Sequence, residues 1–106
     1  SSVNREATGT TTYFYAKTIF DGELARSLQT AMVRSGGLLD KGARTANFFV
    51  VKNTAMPAAL LEVGFMSNLQ EEQILNDPAF QEKIAQAIVD GLEQFFLQAA
   101  KMRGEQ

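Results

Sequence analysis

Glu62 is the residue whose chemistry sits least comfortably in its surroundings. It lies within Ala58-Ala59-Leu60-Leu61-Glu62-Val63-Gly64-Phe65, a run otherwise suited to a buried strand and its exit. An unpaired buried carboxylate costs several kcal/mol, so a partner or a function must hold it there. Two readings are open. Glu62 sits at the strand end and reaches water or a buried arginine, or it is a general base at the carboxyl end of a strand, where α/β sheets open their clefts. Gly64 follows at once and permits a sharp turn or close backbone approach, although a turn alone explains it. Ser67 and Asn68 come next and are placed to face a ligand, though capping accounts for Ser67 without one. Arg44 and Lys52 bracket the apolar run between them, either as solvated ends or with one meeting an anionic substrate group.

Other chemistries are excluded by what the chain lacks. With no histidine and no cysteine, it cannot by itself build a histidine- or thiolate-based metal site, a histidine-dependent triad or a disulfide. Neither a glycine-rich phosphate loop nor a nucleophile elbow is present. Ten basic and twelve acidic side chains leave a net charge of −2, spread along the chain, so neither nucleic acid nor an anionic membrane surface is an expected partner. The apolar runs fall well short of the roughly 20 residues a membrane span needs. The absence of cysteine leaves the compartment open.

The elements that must position Glu62 follow from pattern. At 106 residues, 45% hydrophobic and 21% charged, the chain suits one globular domain or a substantial piece of one. Thr10 to Tyr15, β-branched and aromatic after Gly9, reads as a strand. Asp21 is placed to cap a helix carrying Leu24, Leu28, Ala31 and Met32, which Gly36 and Gly37 stop. Residues 38–45 read as a loop of mixed charge. Asn47 to Lys52 has the continuous apolar character of a strand covered on both faces, and Ala58 to Val63, after Pro57, reads as a third buried strand. Ser67 and Gln70 have the spacing of a capping box opening a short helix to about Leu75. Asp77 and Pro78 then begin a long helix with Phe80, Ile84, Ile88, Leu92, Phe95 and Ala99 on one stripe. This is an α/β arrangement whose three strands make a thin, incomplete sheet. The polar opening, Ser1-Ser2-Val3-Asn4, reads as a segment of something longer.

The stretch from Phe48 to Asn68, through Lys52-Asn53-Thr54, Met56-Pro57-Ala58, Leu61-Glu62-Val63-Gly64-Phe65 and Ser67-Asn68, and on to Glu71, Glu72 and Leu75, resembles the C-terminal half of the zinc-dependent N-acetylmuramoyl-L-alanine amidases. The resemblance reaches back through Gly9 to Tyr15, Leu24-Ala25 and Arg44, and forward into Ile84-Ala85 and Ala87-Ile88, covering nearly the whole chain. It implies that residues 1–106 are the C-terminal portion of an amidase domain: a partial three-layer αβα sandwich, with three strands and three helices of a larger mixed sheet. It implies an extracytoplasmic enzyme that cuts the amide between N-acetylmuramic acid and the first alanine of the peptidoglycan stem.

In the family the glutamate of Glu-x-Gly-Phe is the catalytic acid/base, which maps onto Glu62; Arg44 and Asn68, from the reading of the residues above, are the substrate-binding candidates. The zinc ligands, two histidines and a glutamate, belong to the N-terminal half, and none is in this chain. Zinc is therefore expected in the complete domain only, and the expected partners are peptidoglycan and the missing half or another chain that completes the sheet. Bound zinc brings the pKa of water from about 15.7 towards 7, whereas a positioned base adds roughly 10²–10⁴-fold, so the isolated chain is expected to be inactive. The alternative is a non-catalytic module of the same fold that binds peptidoglycan or a partner.

Overall fold

The computed structural model describes residues 7–104. Three strands and four helices follow one another as β1 (Thr10–Phe14), α1 (Ile19–Gly36), β2 (Asp40–Thr45), α2 (Phe49–Lys52), β3 (Leu60–Glu62), α3 (Leu69–Leu75) and α4 (Pro78–Met102). The sheet is mixed, ordered β2-β1-β3, with β1 parallel to β2 and antiparallel to β3. The expected α/β class holds, and two of its elements change places.

The expected loop at 38–45 contains strand β2, and the expected strand at 47–52 is the short helix α2. Local preference favours the reverse, since Asp-Lys-Gly-Ala-Arg-Thr is a poor strand sequence and Asn-Phe-Phe-Val-Val-Lys a good one. Pairing decides instead. Gln29 of α1 is buried and donates to the Thr10 carbonyl at 2.8 Å and to Asp40 Oδ1 at 2.7 Å, and accepts from the Thr12 hydroxyl at 2.9 Å, tying the start of β2 to β1. Thr10 pairs with Asp40 and Thr12 with Ala43, so Lys41 and Gly42 bulge outward, with Gly42 at φ +84°. A charged, bulged strand suits an outer edge. With that position filled, the 47–52 run turns helical. Val51 is buried, Phe48 packs edge-on against Tyr13 at 5.3 Å, and Phe49 and Val50 are exposed.

The expected third buried strand is also only half-buried, and β1 alone is largely covered. β3 is shorter than the expected 58–63. The Ala58 N–H turns to the Asp21 carboxylate at 3.1 Å, and the Val63 carbonyl accepts from the Thr10 hydroxyl at 2.6 Å, so side chains satisfy the ends that a longer ladder would use.

Helix starts shift for similar reasons. Thr18, not Asp21, caps α1: its hydroxyl accepts from Phe20 N–H at 3.1 Å, while Asp21 returns a bond to the Thr18 N–H at 3.0 Å. At α3 the cap is Asn68, accepting from Glu71 N–H at 3.1 Å, in place of the Ser67–Gln70 box. Gly37 at φ +75° ends α1, and Asp77 with Pro78 opens α4, both as the sequence indicates.

Helices α1 and α4 lie together over the sheet face that carries Leu61. Two apolar clusters, one around Leu24, Leu28, Phe95 and Ala99 and one around Met32, Phe80, Ile84 and Ala87, meet at Leu61 and Ile88. Leu92 leaves the expected stripe at 38% exposure, and Gly91 takes its place in the buried face. A Cβ on Gly91 would stand 3.0 Å from Leu28 Cα, so glycine is what lets the two helices approach. Among the described residues no helix is long and apolar enough to cross a membrane.

Candidate active site

Strand alternation fixes where Glu62 points. Leu61 enters the core, so Leu60 and Glu62 face the opposite side of the sheet. On that side Glu62 stands across from Thr11, and Leu60 across from Tyr13, which is paired in turn with Arg44. Glu62 and Arg44 therefore share a face, separated by two strand spacings and two residues, on the order of 12 Å between Cα atoms. Glu62 is half-buried, and among the described residues its carboxylate has no hydrogen bond or ion pair. The buried-arginine reading of Glu62 is thus not what the structure shows. Its carboxylate is open to the outer face.

Arg44 is exposed and anchored by one bond, Nε to the Lys41 carbonyl at 2.8 Å, which leaves the terminal nitrogens of its guanidinium for another group. Asn68 is not equivalent to it. Its side-chain oxygen is committed to the α3 cap, so only its amide nitrogen remains for a ligand. Tyr13 joins Glu62 and Arg44 on the face, with Phe48 against its ring, and Lys52 lies 5.6 Å from the Tyr15 ring centroid.

Two residues that hold the site are absent from the sequence-derived set. Glu71 is 4% exposed and accepts from the Thr8 hydroxyl, the Gly9 N–H at 2.7 Å and the Phe65 N–H at 2.9 Å. Burial pushes its pKa up, and these bonds with the nearby Lys41 charge outweigh it, leaving the carboxyl below its ordinary range. Asp21, fully buried, plays the matching part at the other end of the segment. It pairs with Lys17 at 2.7 Å and accepts from Thr18 and Ala58. Again burial raises the pKa, and the Lys17, Ala58 and Thr18 bonds bring it below the usual value. The signal for Glu71 was its place three residues after Asn68, the spacing of a cap whose partner folds back.

The residues present do not fit a zinc centre. The chain has no imidazole or thiolate, the donors zinc favours, and the described residues contain no grouping of acidic side chains able to hold a metal ion.

Known proteins match this chain in sequence and in fold. The profile of the N-acetylmuramoyl-L-alanine amidase family matches residues 1–94. The probable cell wall amidase LytH of Staphylococcus epidermidis is 38% identical over 90 residues, which are 85% of this chain and 30% of that protein. The catalytic domain of CwlV, an N-acetylmuramoyl-L-alanine amidase from Bacillus (Paenibacillus) polymyxa, superposes with a TM-score of 0.81 at 38% identity, covering 90% of this chain and 52% of that one. An N-acetylmuramoyl-L-alanine amidase from Clostridium difficile 630 gives a TM-score of 0.81 at 33% identity, covering 85% and 49%. The chain thus spans about a third of that curated relative and about half of these solved ones. By sequence profile, relatives and fold, it belongs to the N-acetylmuramoyl-L-alanine amidase family.

Proposed function

We propose that this chain is the C-terminal portion of a peptidoglycan amidase domain and supplies its acid/base, Glu62. The reaction is hydrolysis of the amide between N-acetylmuramic acid and L-alanine of the stem, outside the cytoplasm where that polymer lies. The observation that carries the reading is a half-buried carboxylate with no partner among the described residues, aimed at an open sheet face, on a segment pinned at both ends by buried anions. A protein with no use for Glu62 would gain by replacing or pairing it.

In this role Glu62 takes a proton from the attacking water and returns it to the nitrogen of the leaving alanine. Glu71 and Asp21 hold the strand so that the carboxylate does not swing away. Arg44, about 12 Å off on the same face, lies at the reach of three to four extended residues and meets an anionic group of the stem peptide. Zinc, which activates water and polarises carbonyls when bound, is held by residues outside this chain. The chain alone is therefore inactive.

The test is Glu62→Ala in the complete amidase domain that contains this chain, following release of stem peptide from muropeptides. Turnover falls by about 10²–10⁴-fold while melting temperature and zinc content stay put. Near-wild-type turnover refutes the role.

A further inference from the structure

The helices that follow β1 and β2 leave the sheet on opposite sides. Thr12 pairs with Leu61 and its hydroxyl bonds to Gln29, which puts α1 on the face that carries Leu61. Tyr13 points the other way, and there Phe48, at the start of α2, packs edge-on against its ring. β1 and β2 run parallel, so their carboxyl ends lie side by side while the chain beyond each departs to a different face. In an open α/β sheet such a divergence leaves a crevice outside the strand ends, the usual place for a ligand.

A cavity of about 460 Å³ occupies that crevice, lined by Tyr15 and Ala16 beyond β1 and by Thr45, Ala46 and Asn47 at the end of β2. Small-molecule sites ordinarily measure about 300–1,000 Å³. The hydroxyls of Tyr15 and Thr45 and the side-chain amide of Asn47 have no hydrogen bond among the described residues, so all three are available to a ligand. The lining itself is uncharged. Lys52 brings one positive charge to its rim, 5.6 Å from the Tyr15 ring centroid and without a carboxylate partner among the described residues. Lys17, by contrast, is held by Asp21 and by the Val51 carbonyl. The cavity is not continuous with Glu62: Tyr15 lies about 14 Å along the chain from Thr11, the partner of Glu62, and the Tyr13–Phe48 ring pair stands between.

We infer that this cavity binds a carboxylate-bearing sugar of a glycan strand, with the sugar against the Tyr15 ring, its hydroxyls on Thr45 and Asn47, and its carboxylate on Lys52. The chemistry matches at each point. The C–H groups of a sugar face are weakly positive and suit the negative face of an aromatic ring, and hydroxyls that both donate and accept suit a threonine hydroxyl and an asparagine amide. The carboxylate follows from the reaction proposed above, on which the choice of ligand rests. Water divides the amide so that the lactyl group keeps a carboxylate and the alanine leaves as an amine. Each processed unit of the strand thus carries the group that Lys52 takes, and the enzyme holds the glycan it has already stripped.

The experiment takes the complete amidase domain that contains this chain and a glycan fragment stripped of its stem peptides, which has free lactyl carboxylates and no amide to cut. Titration calorimetry is expected to show binding. Affinity falls at least about tenfold for Lys52→Gln, the value of one charge-assisted hydrogen bond, and falls also for Tyr15→Ala and Asn47→Ala. An uncharged N-acetylglucosamine oligomer binds the wild type no better than the stripped fragment binds Lys52→Gln. Lys52 and Asn47 are exposed, so their variants keep the fold, and a thermal melt checks Tyr15→Ala. Glu62→Ala, the variant that tests the reaction, binds the fragment undiminished. No binding, or binding that survives both Lys52→Gln and Asn47→Ala, overturns the cavity and leaves the proposed reaction standing. Binding lost in Glu62→Ala and kept in Lys52→Gln places the ligand at the acid/base and overturns the inference as well. Equal affinity for the uncharged oligomer overturns recognition of the carboxylate.

Discussion

Asp21 and Glu71 grip opposite ends of the same segment: the Asp21 carboxylate accepts the Ala58 N–H at 3.1 Å, and the Glu71 carboxylate accepts the Phe65 N–H at 2.9 Å, with Glu62 between. Both are ionised, buried and fully hydrogen-bonded, which makes them costly to protonate. The strand that presents Glu62 is short, and these two anions replace the ladder bonds it lacks.

Acid should therefore loosen the site. The pKa of each carboxyl is lowered on folding, from ordinary values of 3.8 for Asp21 and 4.5 for Glu71. A lowered folded pKa gives stability that is fully present above the unfolded value and lost as pH falls through the folded one. Melting temperature is expected to hold above about pH 5 and to fall progressively below the ordinary carboxylate range. Glu71→Gln should lower stability at neutral pH and flatten that acid limb, as read from thermal melts across a pH series. An unchanged limb refutes the clasp.

The approach of α1 to α4 makes Gly91 a sensitive position. Gly91→Ala puts a methyl 3.0 Å from Leu28 Cα, which is backbone and cannot step aside. Overpacking of this kind costs about 1–3 kcal/mol, and alanine's better helix propensity returns up to about 1, so a net loss on the order of 1–2 kcal/mol is expected. Urea unfolding of the two proteins measures it, and a stabilised variant contradicts the close contact.

Arg44 should act on binding rather than on turnover. In the complete domain Arg44→Ala is expected to raise KM for muropeptides about tenfold, the value of one charge-assisted hydrogen bond, with kcat little changed. Arg44→Lys should recover part of it. A loss confined to kcat places the residue elsewhere in the reaction.

Zinc retention is expected to separate the chain from the full domain. With carboxylates and carbonyls as its only donors, the 106-residue chain should hold zinc no more tightly than any acidic surface. Titration calorimetry decides this. Stoichiometric binding at micromolar affinity would show a site that the donor inventory does not contain.

The sequence alone determined those features that depend on neighbours along the chain. Gly9 followed by threonines and tyrosine made β1, Gly36-Gly37 stopped α1, and Asp77-Pro78 opened α4, because each is a local contest of propensity and capping. The run around Glu62 also announced itself, since an acid inside an apolar strand is legible without a structure. Tertiary structure decided what depends on partners distant in sequence. Which of 40–45 and 47–52 becomes a strand was settled by Gln29 binding Thr10 and Asp40, and propensity pointed the other way. That Arg44 shares a face with Glu62 follows only from the register of two strands on β1. Glu71 and Asp21 look like helix-start acids in the sequence. Their burial, and with it the fixing of the strand that carries Glu62, exists only once Gly9, Ala58 and Phe65 are brought to them, because a carboxylate's role is set by the donors folding places around it.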